Sequence, residues 1–193
     1  MPLFVVDTNR TSLFGAAQPM VHPHTLATYT SHIYDGCEFG CAYCAGWGLP
    51  RSLNESVRLM PSIAQRARSE LATIDRTTVI GITELSDAYQ SGEKQYRRTR
   101  AVLQMMADVA QPVTIMTKSS HVLDDAELLH HIHTRSFAMV IVTIVSHIAS
   151  LQQRLEERCD STETRIDTVR QLKKLGIPVG VAIQPLLPYL NDC

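Results

Sequence analysis

The segment Tyr34-Asp-Gly-Cys37-Glu-Phe-Gly-Cys41-Ala-Tyr-Cys44 places three cysteines within eight residues, in the spacing Cys-x3-Cys-x2-Cys. Three thiolates on one tight loop can bind three corners of a cubic iron–sulfur cluster. Gly36 and Gly40 allow the backbone to fold closely around such a group. No fourth cysteine is adjacent, so one iron would lack a protein thiolate and could coordinate a small molecule.

A zinc site is the alternative interpretation of the same segment. Zinc usually takes four closed ligands and often uses Cys-x2-Cys pairs. His32 could supply the fourth ligand here. The first gap of three residues fits zinc less well than it fits an iron–sulfur cluster.

Short β-branched runs alternate with helical patterns on both sides of the cysteine segment. Strands are predicted over 28–34, 77–83, 113–117, 137–144 and 178–184, and helices over 61–74, 92–109 and 161–175. A further helix is predicted to start at Asp124 and Asp125 and to run over Leu128, Leu129 and Ile132. Such alternation predicts right-handed crossovers and a parallel sheet. The sheet could be an open doubly wound sheet or an arc of a barrel, since periodicity does not choose between them.

The pattern divides the chain into a lead-in and one domain. Residues 1–27 carry little periodicity and are expected to be irregular, whereas 28–193 are expected to form a single domain. The last helix has the clearest signals. Ser161 or Thr162 can cap its start, and a Gly-x-Pro sequence stops it. Its predicted apolar face is Ile166, Val169, Leu172 and Leu175.

Composition excludes several classes of protein. The 193 residues are 45% hydrophobic and 19% charged, with a formal net charge of −1, an ordinary globular balance. Five cysteines, an odd number, argue against a complete disulfide framework. The longest apolar run, 137–145, is far short of the about 20 residues that a membrane helix needs. With no signal-peptide pattern at its start, the protein is expected to be cytoplasmic.

Cys37, Cys41 and Cys44, with the aromatic Tyr43 before the third, resemble the signature of the radical S-adenosylmethionine (SAM) superfamily. The resemblance implies a [4Fe–4S] cluster held by the three cysteines, with SAM bound at the open iron. It implies reductive cleavage of SAM to a 5′-deoxyadenosyl radical that takes hydrogen from a substrate. The implied fold is a partial (β/α) barrel, of which about five βα units are present.

Further segments resemble the branch of the superfamily that contains spore photoproduct lyase. They are Gly81-Ile-Thr-Glu-Leu-Ser-Asp-Ala-Tyr-Gln90, Thr117-Lys118, Val140-Ile-Val-Thr143 and Gly180-Val-Ala-Ile-Gln-Pro185. The resemblance implies that Lys118 and Thr143 reach the carboxylate or ribose of SAM, and that Thr83 and Glu84 lie near its amino group or the substrate. It further implies that Tyr43 and Ile183 pack near the adenine.

The chain departs from that branch in two respects. Photoproduct lyases carry a cysteine near the end of the second strand, where this chain has Thr83-Glu84-Leu85-Ser86 without a thiol. The chain also stops just after the fifth predicted strand, so a C-terminally incomplete domain with an exposed apolar edge is expected. An inactive cluster-binding fragment is therefore a further alternative. The implied partners are an external one-electron donor of the flavodoxin or ferredoxin type and a substrate that could be a nucleic acid.

The remaining candidate residues favour structural roles. Arg154, Glu156 and Arg165 are best interpreted as a surface ion-pair set. The histidines at 130, 131 and 133 do not share one helix face and are expected to be solvated. Cys159 and Cys193 receive no role.

Overall fold

The computed structural model describes residues 3–6, 11–16, 27–44, 56–83 and 86–192. The strands are β1 (Leu3–Val5), β2 (Phe14–Ala16), β3 (Tyr29–Ser31), β4 (Tyr34–Asp35), β5 (Ser56–Leu59), β6 (Ile80–Ile82), β7 (Val113–Thr117), β8 (Ala138–Thr143) and β9 (Val179–Ala182). The helices are α1 (Ile63–Leu71), α2 (Glu93–Tyr96), α3 (Arg98–Asp108), α4 (Ala126–Arg135), α5 (Ala149–Leu155) and α6 (Thr162–Lys174). A 3-10 helix, Ser120–Asp125, leads into α4.

Six strands form the main sheet, in the order β2-β3-β6-β7-β8-β9. β3, β6, β7, β8 and β9 pair in parallel, while β2 pairs antiparallel with β3. The five parallel strands were all predicted from the sequence. Their spatial order follows the chain without the reversal of a doubly wound sheet, so the fold is the wall of a barrel.

The core lies between this sheet and its helices. Strand residues such as Ile82, Ile115 and Val142 are fully buried. The buried face of α3 consists of Val102, Leu103, Met106 and Ala107. The nearly unbroken apolarity of β8 is typical of a strand in the interior of a parallel sheet. In β9 and just after it, Val181, Ile183 and Leu186 are exposed.

Within the lead-in, the described residues 3–6 and 11–16 contain β1 and β2. β1 joins a small second sheet, in the order β1-β5-β4. β2 is held by a residue far along the chain: the Glu70 carboxylate on α1 accepts the backbone N–H groups of Leu13 and Phe14 at 2.8 and 2.9 Å. This contact joins residues more than 50 positions apart, which local pattern does not reveal.

The helix predicted over 92–109 is divided into two at Arg97, whose φ of 50° is left-handed. The reason is the carboxylate of Glu93. It accepts the N–H groups of Thr99 at 3.0 Å and Arg100 at 3.1 Å, in the first turn of α3, where backbone donors lack helical partners. Glu93, the first residue of α2, therefore caps the start of α3 with its side chain.

The predicted apolar face of α6 is wrong in part. Leu172 is buried, but Leu175 is 51% exposed, and Ile166 and Val169 are half-buried. Three polar residues, Thr162, Arg165 and Thr168, lie on the buried side instead. The helix buries this polar side because the Arg165 guanidinium pairs there with Glu156 and donates to the Thr143 carbonyl. The predicted cap is confirmed, since Ser161 Oγ accepts the Thr164 N–H at 3.2 Å.

In the described part of the chain, no helix combines the length and the apolar character needed to cross a bilayer.

Candidate active site at the cysteine loop

The cysteine loop, residues 36–44, follows β4. Gly36 and Gly40 have φ values of 106° and 58°, in the left-handed region that side chains disfavour. The Cys44 N–H donates to the Cys41 carbonyl at 3.0 Å and closes a tight turn. The two glycines therefore permit the sharp backbone path of the loop that carries the three cysteines.

Gln90 holds one side of this loop. Its amide nitrogen donates to the carbonyl of Gly36 at 3.1 Å, and its amide oxygen accepts the N–H of Glu38 at 2.7 Å. The same nitrogen donates to the Asp87 carbonyl at 3.0 Å. Gln90 is fully buried, so water cannot take over its hydrogen bonds to these backbone groups.

Glu38 adds a second link to the same segment. Its carboxylate accepts the hydroxyl of Ser91 at 2.7 Å and also the Ser91 backbone N–H. The loop after β6 is therefore hydrogen-bonded to the cysteine loop through both backbone and side-chain groups.

The segment after α5 holds the other side of the cysteine loop. The Ala42 N–H donates to the Leu155 carbonyl at 2.8 Å, and Arg158 donates to the Glu38 carbonyl at 3.2 Å. Local sequence pattern does not reveal these contacts, because the partners are separated by more than 100 residues. The cysteine loop is thus fixed by two segments that are remote in sequence.

The Gln90 contacts lead to a stability prediction. Replacing Gln90 with leucine preserves volume but leaves buried backbone groups unpaired, at a cost of about 1–3 kcal/mol. Urea unfolding of Gln90→Leu should report this loss. The control is Gln104→Leu on exposed α3 surface, expected within about 0.5 kcal/mol of wild type. Equal effects of the two substitutions would contradict the assigned role of Gln90.

Asp87 fixes the end of β7 beneath the loop. Its carboxylate accepts the Thr117 hydroxyl at 2.7 Å, the Lys118 N–H at 2.8 Å and the Tyr89 N–H at 2.9 Å. Burial raises the pKa of Asp87, and the hydrogen bonds from Thr117, Tyr89 and Lys118 only partly oppose that rise. Asp87 therefore positions the backbone from which Lys118 extends.

Lys118 lies at the carboxyl end of β7, with its ammonium 5.9 Å from the centre of the Tyr43 ring. This is a cation–π distance. Burial alone would lower the pKa of Lys118, but Cys41, Glu156 and Asp87 outweigh it and raise the pKa above its usual value. Lys118 thus carries a positive charge next to the cysteine loop.

Glu156 and Arg165 form a buried ion pair at the same place. Arg165 Nη2 lies 2.6 Å from Glu156 Oε2, and neither side chain is exposed. Arg165 also donates to the Thr143 carbonyl at 2.9 Å, and the Tyr43 hydroxyl donates to Glu156. The interpretation of these residues as a surface set is therefore wrong for Glu156 and Arg165, whereas Arg154 is exposed.

This chain of contacts connects the cysteine loop to the end of β8. Tyr43 donates a hydrogen bond to Glu156, and Glu156 forms an ion pair with Arg165. Arg165 in turn donates to the Thr143 carbonyl. Burial, followed by the Glu156 charge, raises the pKa of the Tyr43 phenol, so the phenol stays protonated and able to donate.

Three other predicted site residues lie at strand ends. Thr83 follows β6 with a left-handed φ of 68°, a conformation that β-branched residues rarely adopt and that is found at functional sites. Thr143 ends β8 and is buried. Ile183 follows β9 and is 64% exposed. Glu84 lies outside the described residues, and the roles implied for all four remain predictions.

The family model of the radical SAM superfamily matches residues 31–193. The chain belongs to the radical SAM superfamily.

Relatives of this radical SAM protein are similar over most of its length. An uncharacterized protein of Methanocaldococcus jannaschii is 28% identical over 179 residues, covering 86% of this chain and 63% of the relative. An uncharacterized protein of Mycobacterium tuberculosis is 22% identical over 173 residues, covering 85% and 51%. The chain thus spans about half to two thirds of the length of these relatives.

The fold of this radical SAM protein is similar to solved structures. Spore photoproduct lyase complexed with a dinucleoside spore photoproduct matches with a TM-score of 0.72 and 18% identity, covering 96% of this chain and 52% of the lyase. The cobalamin-dependent radical enzyme OxsB matches with a TM-score of 0.55 and 13% identity, covering 79% and 23%. These similarities confirm the fold predicted from the sequence.

Membership in the superfamily implies a [4Fe–4S] cluster and SAM as cofactors. The residues at the cysteine loop fit a cluster with bound SAM. Three thiols lie on one clamped loop, the Lys118 charge is adjacent, and within the described residues the buried Thr143 hydroxyl oxygen has no hydrogen-bond partner. Such an orphaned oxygen at a strand end suits a bound polar molecule.

The zinc alternative finds less support in the geometry. His32, the fourth ligand that the alternative required, has its ring against β2: a Cβ built on Gly15 would lie 3.3 Å from His32 Nε2.

Cys159 is a site neighbour that the sequence did not identify. Its sulfur lies 3.7 Å from the sulfur of Cys41, although 117 residues separate the two in the chain. Nothing local to Cys159 signals this contact, because the α5–α6 connection creates it.

Proposed function

We propose that the chain is the cofactor-binding core of an enzyme that cleaves SAM reductively and uses the resulting radical on a substrate. The bound cluster supplies the single electron for that cleavage. The observation that carries the proposal is the Cys37, Cys41 and Cys44 loop, clamped from both sides beside Lys118 at the carboxyl end of a parallel strand. Ligands gather at this end of parallel sheets.

The residues of the chain have distinct proposed tasks. Cys37, Cys41 and Cys44 hold the cluster, and Lys118 binds the carboxylate or ribose of SAM by charge and hydrogen bonding. Tyr43 would pack near the adenine, and its hydrogen bond to Glu156 would hold the ring in position. Thr83, Thr143 and Ile183 stand at neighbouring strand ends, where they would orient SAM or the substrate.

The proposed activity is tested by its product. The anaerobically reconstituted protein, supplied with SAM and a chemical one-electron reductant, should release 5′-deoxyadenosine and methionine, measured by liquid chromatography. The Cys41→Ala variant is the control and should release neither. A wild-type protein that holds its cluster without cleaving SAM would identify an inactive cluster-binding fragment instead.

Lys118 provides a test of cofactor binding that does not depend on turnover. Replacing Lys118 with methionine removes a charge-assisted contact of about 1.5–3 kcal/mol, which corresponds to about a 10- to 100-fold higher Kd for SAM. Equilibrium dialysis against labelled SAM should measure this change in the cluster-loaded protein. Lys94→Met, on exposed surface, is the matched control. An unchanged Kd for Lys118→Met would remove Lys118 from the SAM site.

A nucleic-acid lesion is the substrate class to test first. Support comes from the similarity to spore photoproduct lyase in complex with a dinucleoside photoproduct. Repair of that photoproduct itself is disfavoured, because residues 83–86 contain no thiol. The proposed reaction is therefore lyase-like chemistry on a related substrate.

A further inference from the structure

The contact between Cys41 and Cys159 joins a proposed cluster ligand to a cysteine outside the motif. The two sulfurs are 3.7 Å apart, at van der Waals contact. Cys41 is buried and Cys159 is half-buried, so Cys159 is the more accessible thiol of the pair. A disulfide requires a sulfur–sulfur distance of about 2.05 Å, so bond formation needs the two side chains to turn toward each other.

The backbone on both sides of this pair is fixed. Next to Cys41, the Ala42 N–H donates to Leu155 at 2.8 Å. Next to Cys159, Arg158 donates to Glu38 at 3.2 Å, and the Cys159 N–H donates to Glu156 at 3.0 Å. The two thiols are therefore held together by contacts that need no metal.

We propose that Cys41 and Cys159 form a disulfide in the cluster-free protein when it meets an oxidising disulfide such as oxidised glutathione. Cys159 attacks the glutathione disulfide and releases one reduced glutathione. Cys41 then attacks the Cys159 sulfur, forms the protein disulfide and releases the second reduced glutathione. The two cysteine sulfurs lose two electrons, which the two glutathione sulfurs gain, and the two thiol protons leave with the glutathiones.

This bond and metal binding exclude each other at Cys41, since a disulfide sulfur is no longer the thiolate that a metal needs. Reduction would return Cys41 to the cysteine loop. The pair thus forms a reversible modification site that controls when the loop can accept iron. The formation of the disulfide itself does not depend on SAM cleavage, so the two proposals can fail separately.

Peptide mapping tests the bond directly. The full-length protein, freed of metal with a chelator, is incubated with oxidised glutathione, blocked with N-ethylmaleimide and digested without reductant. Mass spectrometry should find the Cys41 peptide joined to the Cys159 peptide with the loss of two hydrogen atoms. A bond from Cys41 to Cys37 or Cys44, or glutathione left on Cys159 as the final product, would overturn the proposal.

Iron uptake tests the consequence. Oxidised wild-type protein should lose iron binding and regain it after treatment with dithiothreitol. Cys159→Ser should take up iron equally before and after the glutathione treatment, whereas Cys193→Ser should behave as wild type. If Cys159→Ser loses iron binding on oxidation as wild type does, the bond does not control the loop. Should that variant fail to fold, the wild-type peptide map still decides whether the bond forms.

Discussion

Replacement of Cys41 by alanine is expected to abolish cluster binding. The loop supplies three thiolates, and a cubic cluster that is already short of one protein ligand would be left with two. Iron content after anaerobic reconstitution should fall from about four per chain to near zero, as cluster stoichiometry requires. The broad visible absorption of the cluster should disappear with it.

The control for this prediction is Cys193→Ala, which removes a cysteine that the motif does not include. It should retain full iron content. Full iron content in Cys41→Ala would contradict the ligand assignment. Comparison of the unfolding curves of the two metal-free proteins separates ligand loss from misfolding.

Removal of Arg165 should produce the largest loss of stability among the single substitutions considered. Its ion pair with Glu156 is fully buried, and breaking such a pair by removing one partner costs about 3–5 kcal/mol. Arg165→Met preserves much of the side-chain volume while leaving Glu156 charged and unpaired. Urea unfolding of the metal-free protein should measure this loss.

The same helix offers a matched control in the exposed pair of Arg170 and Asp167. Those groups are 2.7 Å apart, but their side chains are 68% and 61% exposed, so Arg170→Met should cost at most about 1 kcal/mol. The double variant Arg165→Met with Glu156→Gln should regain part of the loss, because no charge is left unpaired. An equal cost for Arg165→Met and Arg170→Met would show that the buried pair contributes little.

The sequence predicted the parallel strands because their signals are local. β7 was predicted with the bounds observed, and β8 and β9 within two residues at each end. Buried parallel strands are continuous apolar runs bounded by polar turns, so a short window contains the information needed. The cysteine loop was recognisable for the same reason, since its three cysteines and two glycines are neighbours in the chain.

The features that the sequence could not predict are contacts between residues that are far apart in the chain. Glu156 and Arg165 look like surface residues until the fold brings them together under Tyr43. Glu93 looks like an ordinary helix residue, although its carboxylate divides the helix by capping the next one. The contact of Cys159 with Cys41 is likewise invisible in the sequence, because the fold brings together residues that are far apart in the chain.

The central claim is that the cysteine loop holds a [4Fe–4S] cluster to which SAM binds. Electron paramagnetic resonance of the reduced, reconstituted protein with and without SAM tests this claim most directly, alongside iron and zinc analysis of the same sample. We expect about four irons per chain and a resonance that shifts when SAM is added. Stoichiometric zinc without iron, or a cluster resonance that SAM leaves unchanged, would contradict the claim.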